Sequence, residues 1–133
     1  MSFRERSAWM MALILLVTGG FYVKLVVLDG VPPPAASIPF VLFVVVLSVT
    51  AQVVLAIASP REAAGASDER ERRATDKAAH FSSYVLATGM VVGLGGFLVS
   101  PTGMQLFHIV LMTLILGQIA DYAAQIVLLR WRV

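Results

Sequence analysis

Cysteine is absent from this sequence, which excludes disulfides, thiolate metal centres and cysteine nucleophiles. Charge is scarce. Asp, Glu, Lys and Arg make up 14% of the 133 residues, against about 25% in an ordinary soluble domain. With 59% of the chain hydrophobic, there is too little polar surface to cover a water-soluble globule. No glycine-rich phosphate loop, HExxH helix or Ser-His-Asp pattern is visible, which argues against an enzyme. The net charge of +2 is too small to point to nucleic acid, so no direct nucleic-acid partner is expected. Neither a cofactor nor a resident metal is expected.

What is present is length of apolar chain. Four stretches, Ala8–Leu28, Ile38–Ala58, Ala78–Val99 and Met104–Leu129, each hold about 20 residues or more, enough to cross ~30 Å of hydrocarbon as helix. Lipid satisfies no open backbone, so helices are expected even over the Val-rich run Val41–Val46. The expected fold is therefore all-α: a single membrane domain of four transmembrane helices over about 8–28, 38–58, 68–99 and 104–129, with membrane lipid as its first partner. The breaks between them are Asp29-Gly30-Val31 with Pro32-Pro33-Pro34, Ser59-Pro60, and Ser100-Pro101-Thr102-Gly103. Met1–Lys24 is expected to be a retained helix rather than a signal peptide, because its apolar core exceeds the usual ~7–15 residues.

The loop 61–77 carries most of the charge. Ser67 is a candidate cap with Asp68 and Glu69 in the first turn, and Asp68–Arg72 and Glu69–Arg73 stand at i,i+4. The third helix is thus expected to begin near Asp68 and to project into the cytoplasm before entering the bilayer. Orientation follows from Lys and Arg. Arg4, Arg6, Arg61, Arg70, Arg72, Arg73, Lys77, Arg130 and Arg132 belong to the termini and this loop, and only Lys24 lies toward the other side. Both termini and the charged loop are therefore expected on the cytoplasmic side, with Trp9 and Trp131 at that interface. Lys24, near the outer end of the first helix, is expected to snorkel.

Polar residues at membrane depth are the candidates for function. Asp121 lies about 12 Å inside the inner boundary, where a carboxylate must be paired, hydrated or protonated. Gln118 and Gln125 share its helix face, and Gln52, Tyr84 and Thr88 fall at matching depth on other helices. Together they are a candidate polar pocket open to the cytoplasm, binding a proton, an ion or a small ligand. Alternatively they form a hydrogen-bonded network that packs the helices. His80, near the inner edge, is a candidate proton relay to Asp121. His108 lies about 30 Å away, near the outer edge, so the two histidines cannot ligate one metal. Gly89 and Gly93 form a GxxxG, with Gly96 on nearly the same face, and are expected to pack on a helix of this chain or of a second copy. Asp68, Glu69, Arg70, Arg72 and Arg73 form a candidate docking surface.

Met1-Ser2-Phe3-Arg4-Glu5-Arg6-Ser7-Ala8-Trp9, Asp68-Glu69-Arg70-Glu71-Arg72, and the run from Leu106-Phe107-His108 to Gln118-Ile119-Ala120-Asp121-Tyr122-Ala123-Ala124-Gln125 resemble a family of small, uncharacterised four-helix inner-membrane proteins of Gram-negative bacteria. The resemblance implies a topology and an inner-membrane location, but no activity and no catalytic residue. Similar small membrane families accompany small helix-turn-helix regulators, which implies a cytoplasmic protein partner of that kind. The expected function is thus a non-enzymatic inner-membrane protein acting through partners or as a homo-oligomer. The alternatives are a ligand- or proton-coupled transporter around Asp121, or an accessory subunit of a larger membrane complex. Small multidrug transporters also have four short helices, but their key carboxylate is in the first helix, and Ala8–Val23 has no acid.

Overall fold

A computed structural model describes residues 2–66 and 68–131. Ser67, the candidate cap, and Arg132, counted in the charge asymmetry, lie outside the described residues. Among those described, five helices occur in the order α1 (Phe3–Val27), α2 (Pro33–Ala58), α3 (Pro60–Ala64), α4 (Glu69–Val99) and α5 (Gly103–Arg130). The protein is all-helical, and α1, α2, α4 and α5 are long and apolar enough to cross a membrane.

Two helices, α1 and α2, start well before their expected first residues, 8 and 38. In α1, Ser2 is the N-cap and its side chain accepts from the Glu5 amide at 3.2 Å. The Ser-x-x-Glu pattern that makes this cap turns the polar segment before Ala8 into helix. In α2 the triple proline opens the helix rather than lying outside it. Pro33 and Pro34 occupy the first turn, where a missing N–H costs nothing because those donors have no intrahelical partner. The reversal between the two helices uses Gly30 at φ +66°, across which the Val31 amide reaches back to Leu25 O at 2.9 Å. Ser59, forced out of helical geometry by the following proline, separates α2 from the one-turn α3, an element the hydropathy pattern does not show. Asp68 is the N-cap residue of α4, but its side chain makes no capping bond.

α5 is the hub. It packs most extensively on α4, then on α1, and lightly on α2, while α2 leans mainly on α1 and has no extensive contact with α4. The α4–α5 contact is built on missing side chains. A Cβ on Gly89 would overlap the Thr113 side chain, and one on Gly117 would stand 2.7 Å from Leu86 Cδ2. A Cβ on Gly93 would come within 3.1 Å of Ile109, whereas one on Gly96 meets Ile109 only at 3.9 Å. This close approach lets Ser82 Oγ donate to Gly117 O at 2.9 Å. The GxxxG face therefore meets a helix of the same chain.

Two small cores hold the remaining contacts. Toward the Gly30 end, Tyr22, Ala36, Phe40 and Ile115 are buried together; toward the other end, Ala8, Ala12 and Ile126 pack with Tyr122. Most other large apolar side chains, including Leu42, Val46, Val53 and Ile57 of α2, are exposed. A surface of this kind is untenable in water and ordinary against lipid tails.

Candidate functional site

Most of the polar chemistry lies at the end where Ser2, α3, Glu69 and Arg130 come together. The first turn of α1 is tied there to three other helices. Arg4 Nε lies 3.5 Å from Glu71 of α4, Arg6 pairs with Glu62 of α3, and Glu5 Oε1 lies 3.3 Å from Arg130 Nε of α5. The Arg130 guanidinium also stands over the Trp9 ring, 5.9 Å from its centre. Exposed pairs of this kind hold little energy each. Glu5 differs, because it is only 7% exposed, so Arg130 is the cation that makes its burial tolerable. The contact is an ion pair rather than an aligned hydrogen bond, since Glu5 Oε1 has no hydrogen-bond partner among the described residues.

Beside this clamp is a cavity of about 590 Å³ between the start of α1, the α3 segment, α4 and α5. Its wall carries Arg4 against Glu62, Asp68 and Glu71, and its inner part is lined by Ser7, Thr75, Tyr122 and Gln125. One helical turn beyond Gln125, Asp121 is half-buried. Its Oδ1 is fully buried and has no hydrogen-bond partner among the described residues.

The six residues expected to form one polar pocket are not brought together. Gln52 is engaged with Ser7 instead: Gln52 Nε2 donates to Ser7 Oγ at 2.8 Å, and Ser7 Oγ lies 3.1 Å from Gln52 Oε1. Tyr84 is 68% exposed, and Thr88 and Gln118 are exposed as well. The reason is rotation about the helix axis, which depth does not reveal. Gly89 and Gly93 set the face of α4 that meets α5, and at ~100° per residue Thr88 and Tyr84 fall roughly 100° and 140° away from Gly89. His80 is exposed and its side chain makes no bond to Asp121; its carbonyl accepts from Ser83 Oγ at 2.6 Å. What the structure retains of the expected pocket is Asp121 and Gln125 on α5, with Gln52 near the cavity through Ser7.

The candidate docking residues lie at the start of α4 and are all exposed. Glu69 and Arg73 form the i,i+4 pair at 2.5 Å. Asp68 and Arg72 do not pair through their side chains: Asp68, in cap geometry, offers only its carbonyl to the Arg72 amide, at 3.0 Å. Arg70 Nη2 bends toward Leu129 O of α5 at 3.4 Å.

At the opposite end is a pair that sequence reasoning missed. Tyr22, wholly buried, places its hydroxyl 3.0 Å from His108 Nδ1, and the two rings stack with centres 5.8 Å apart. A usable signal exists, because Tyr22 stands five residues before the end of α1 and His108 five residues after the start of α5, hence at equal depth. The clamp at the charged end was also legible, in the facing charges of Arg4-Glu5-Arg6, Glu62, Glu71 and Arg130. No protein-family model, curated protein or solved structure matches this chain.

Proposed function

We propose that this protein is a non-enzymatic, multi-pass protein of a bacterial inner membrane that works by associating with other proteins. Its termini and the charged end of α4 face the cytoplasm, in keeping with the Lys/Arg asymmetry. The observation that carries the reading is Gln118. It lies about 18 Å along α5 from Arg130 and about 22 Å from Gly103, near the middle of the bilayer. There it is exposed, with no hydrogen-bond partner among the described residues. Lipid cannot satisfy an amide, so a protein surface is the natural cover. Tyr84 and Thr88, exposed on α4 within its apolar stretch, point the same way. At the cytoplasmic end, Asp68, Glu69, Arg72 and Arg73 offer an exposed, mixed-charge helical surface suited to a soluble partner. The family resemblance supports a small helix-turn-helix regulator in that role. Purification of the tagged full chain in mild detergent, read by native mass spectrometry, tests this. A homo-oligomer or a stoichiometric partner is the expected result, and a monomer that carries nothing overturns it.

A second reading is favoured by the buried, unpartnered Oδ1 of Asp121 beside the cavity: a site for a proton or a small cation entering from the cytoplasm. Asp121→Asn keeps shape and most hydrogen-bonding capacity but does not titrate. If the site works this way, the variant folds but loses the rise in thermal stability that a small cation such as Na⁺ is expected to give the parent protein. Identical curves for the two proteins leave Asp121 as packing polarity only.

A further inference from the structure

The two exposed faces of α5 differ in kind. One presents Leu116, Ala123 and Val127, all apolar and suited to lipid. The other presents Phe107, Leu114 and Gln118, exposed, with Leu111 between them, at alternating spacings of four and three residues. That is the spacing of a seam along which one helix packs on another. Ile109, Thr113 and Gly117 meet α4, Ile115 and Ile126 belong to the two buried cores, and Leu111, at the edge of the second face, packs in part against the Tyr22–Phe40 core, so Phe107, Leu114 and Gln118 are left open.

We propose that the Phe107–Leu111–Leu114–Gln118 seam is where a second copy of this chain packs, α5 against α5, with the two Gln118 amides hydrogen-bonded to each other. This rests on the reading that the protein works by association and names the partner. Two copies inserted the same way in one membrane are related by an axis along its normal, so residues of equal depth meet. The chemistry of the seam suits such self-contact. A carboxamide carries both donor and acceptor and satisfies its own image, whereas a charged group would repel its image. Asp121, three residues on and half-buried, keeps its Oδ1 buried within the chain. Apolar side chains on the outer half of the seam supply packing, and a single polar pair near mid-bilayer fixes the register.

The absence of cysteine allows a clean test. Leu114→Cys is expected to give a disulfide-linked dimer on mild oxidation in native membranes, since seam positions at equal depth bring Cα atoms within the roughly 4.4–6.8 Å that a disulfide needs. Val127→Cys, on the lipid face, is expected to remain uncross-linked. Gln118→Leu, which leaves an apolar side chain in lipid and is not expected to disturb folding, should weaken the dimer roughly 3- to 30-fold, while Gln118→Asn should retain most of the affinity. If the parent chain is an oligomer but Leu114→Cys does not cross-link and Gln118→Leu changes nothing, this seam is wrong and association stands. If Gln118→Leu instead releases a different protein, the second copy is the wrong occupant. A parent chain that is monomeric and without partner removes both.

Discussion

Gly89 and Gly95 are two glycines of one helix with opposite roles. At Gly89 an added methyl would overlap Thr113, whose β-branched side chain is held by its own bond to Ile109 O at 2.8 Å and has nowhere to turn. At Gly95 nothing lies within 4 Å of the same methyl. Gly89→Ala is therefore expected to destabilise the protein by about 1–3 kcal/mol through overpacking. Gly95→Ala is expected to be neutral or to stabilise by up to ~1 kcal/mol through helix propensity. Thermal unfolding of the two variants in one detergent gives the comparison, and equal effects would mean that α4 meets α5 through another face. The pattern Gly-x-x-x-Gly was visible in the sequence, but which of the glycines in α4 had a neighbour was not. That depends on the angle at which α5 arrives.

Among the elements, α1 shows how a short polar segment is recruited. Ser2 caps the helix, and the charged turn that follows places Arg4, Glu5 and Arg6 toward three different neighbours. These bonds are unequal. Arg6 and Glu62 are 36% and 55% exposed at their side chains, so Arg6→Ala is expected to cost about 1 kcal/mol. Arg130→Ala strips the cation from the buried Glu5 and the ring contact from Trp9. Its expected cost is roughly 1–3 kcal/mol, below the ~3–5 kcal/mol of a fully buried pair because Arg130 itself is largely exposed. A thermal-stability ranking with Arg6→Ala at or below Arg130→Ala would show that the clamp does not depend on Glu5. The capping box and the opposed charges can both be read from residue order; the partner chosen by each charge cannot, since several acids and bases share the same end.

For the whole molecule, the decisive quantity is the distribution of Lys and Arg. A reporter fused after Val133, or inserted at 63–66, is expected to read cytoplasmic, and one inserted at 32–36 periplasmic. A periplasmic reading at the carboxyl terminus would overturn the expected orientation. The bundle itself is open. α5 holds α4 and α1 through small residues and buried aromatics, while α2 and α4 share no extensive contact. Apolar faces can remain unpaired because lipid covers them at no hydrophobic penalty.

The number of membrane-length helices follows from the sequence alone, because hydrocarbon thickness and the demand for internal backbone hydrogen bonds leave one solution for four long apolar stretches. Depth was legible for the same reason: each residue advances ~1.5 Å along its helix, so Gln52, Tyr84 and Asp121 could be assigned to similar levels. The direction in which each of them points was decided only by tertiary contact. Lipid tails and protein side chains are nearly equivalent solvents for an apolar side chain, so hydropathy has almost no angular information in a membrane helix. Steric fit supplied that information instead: the Gly89–Thr113 and Gly117–Leu86 contacts turned Tyr84 and Thr88 outward, and the Ser7–Gln52 bond drew Gln52 away from Asp121.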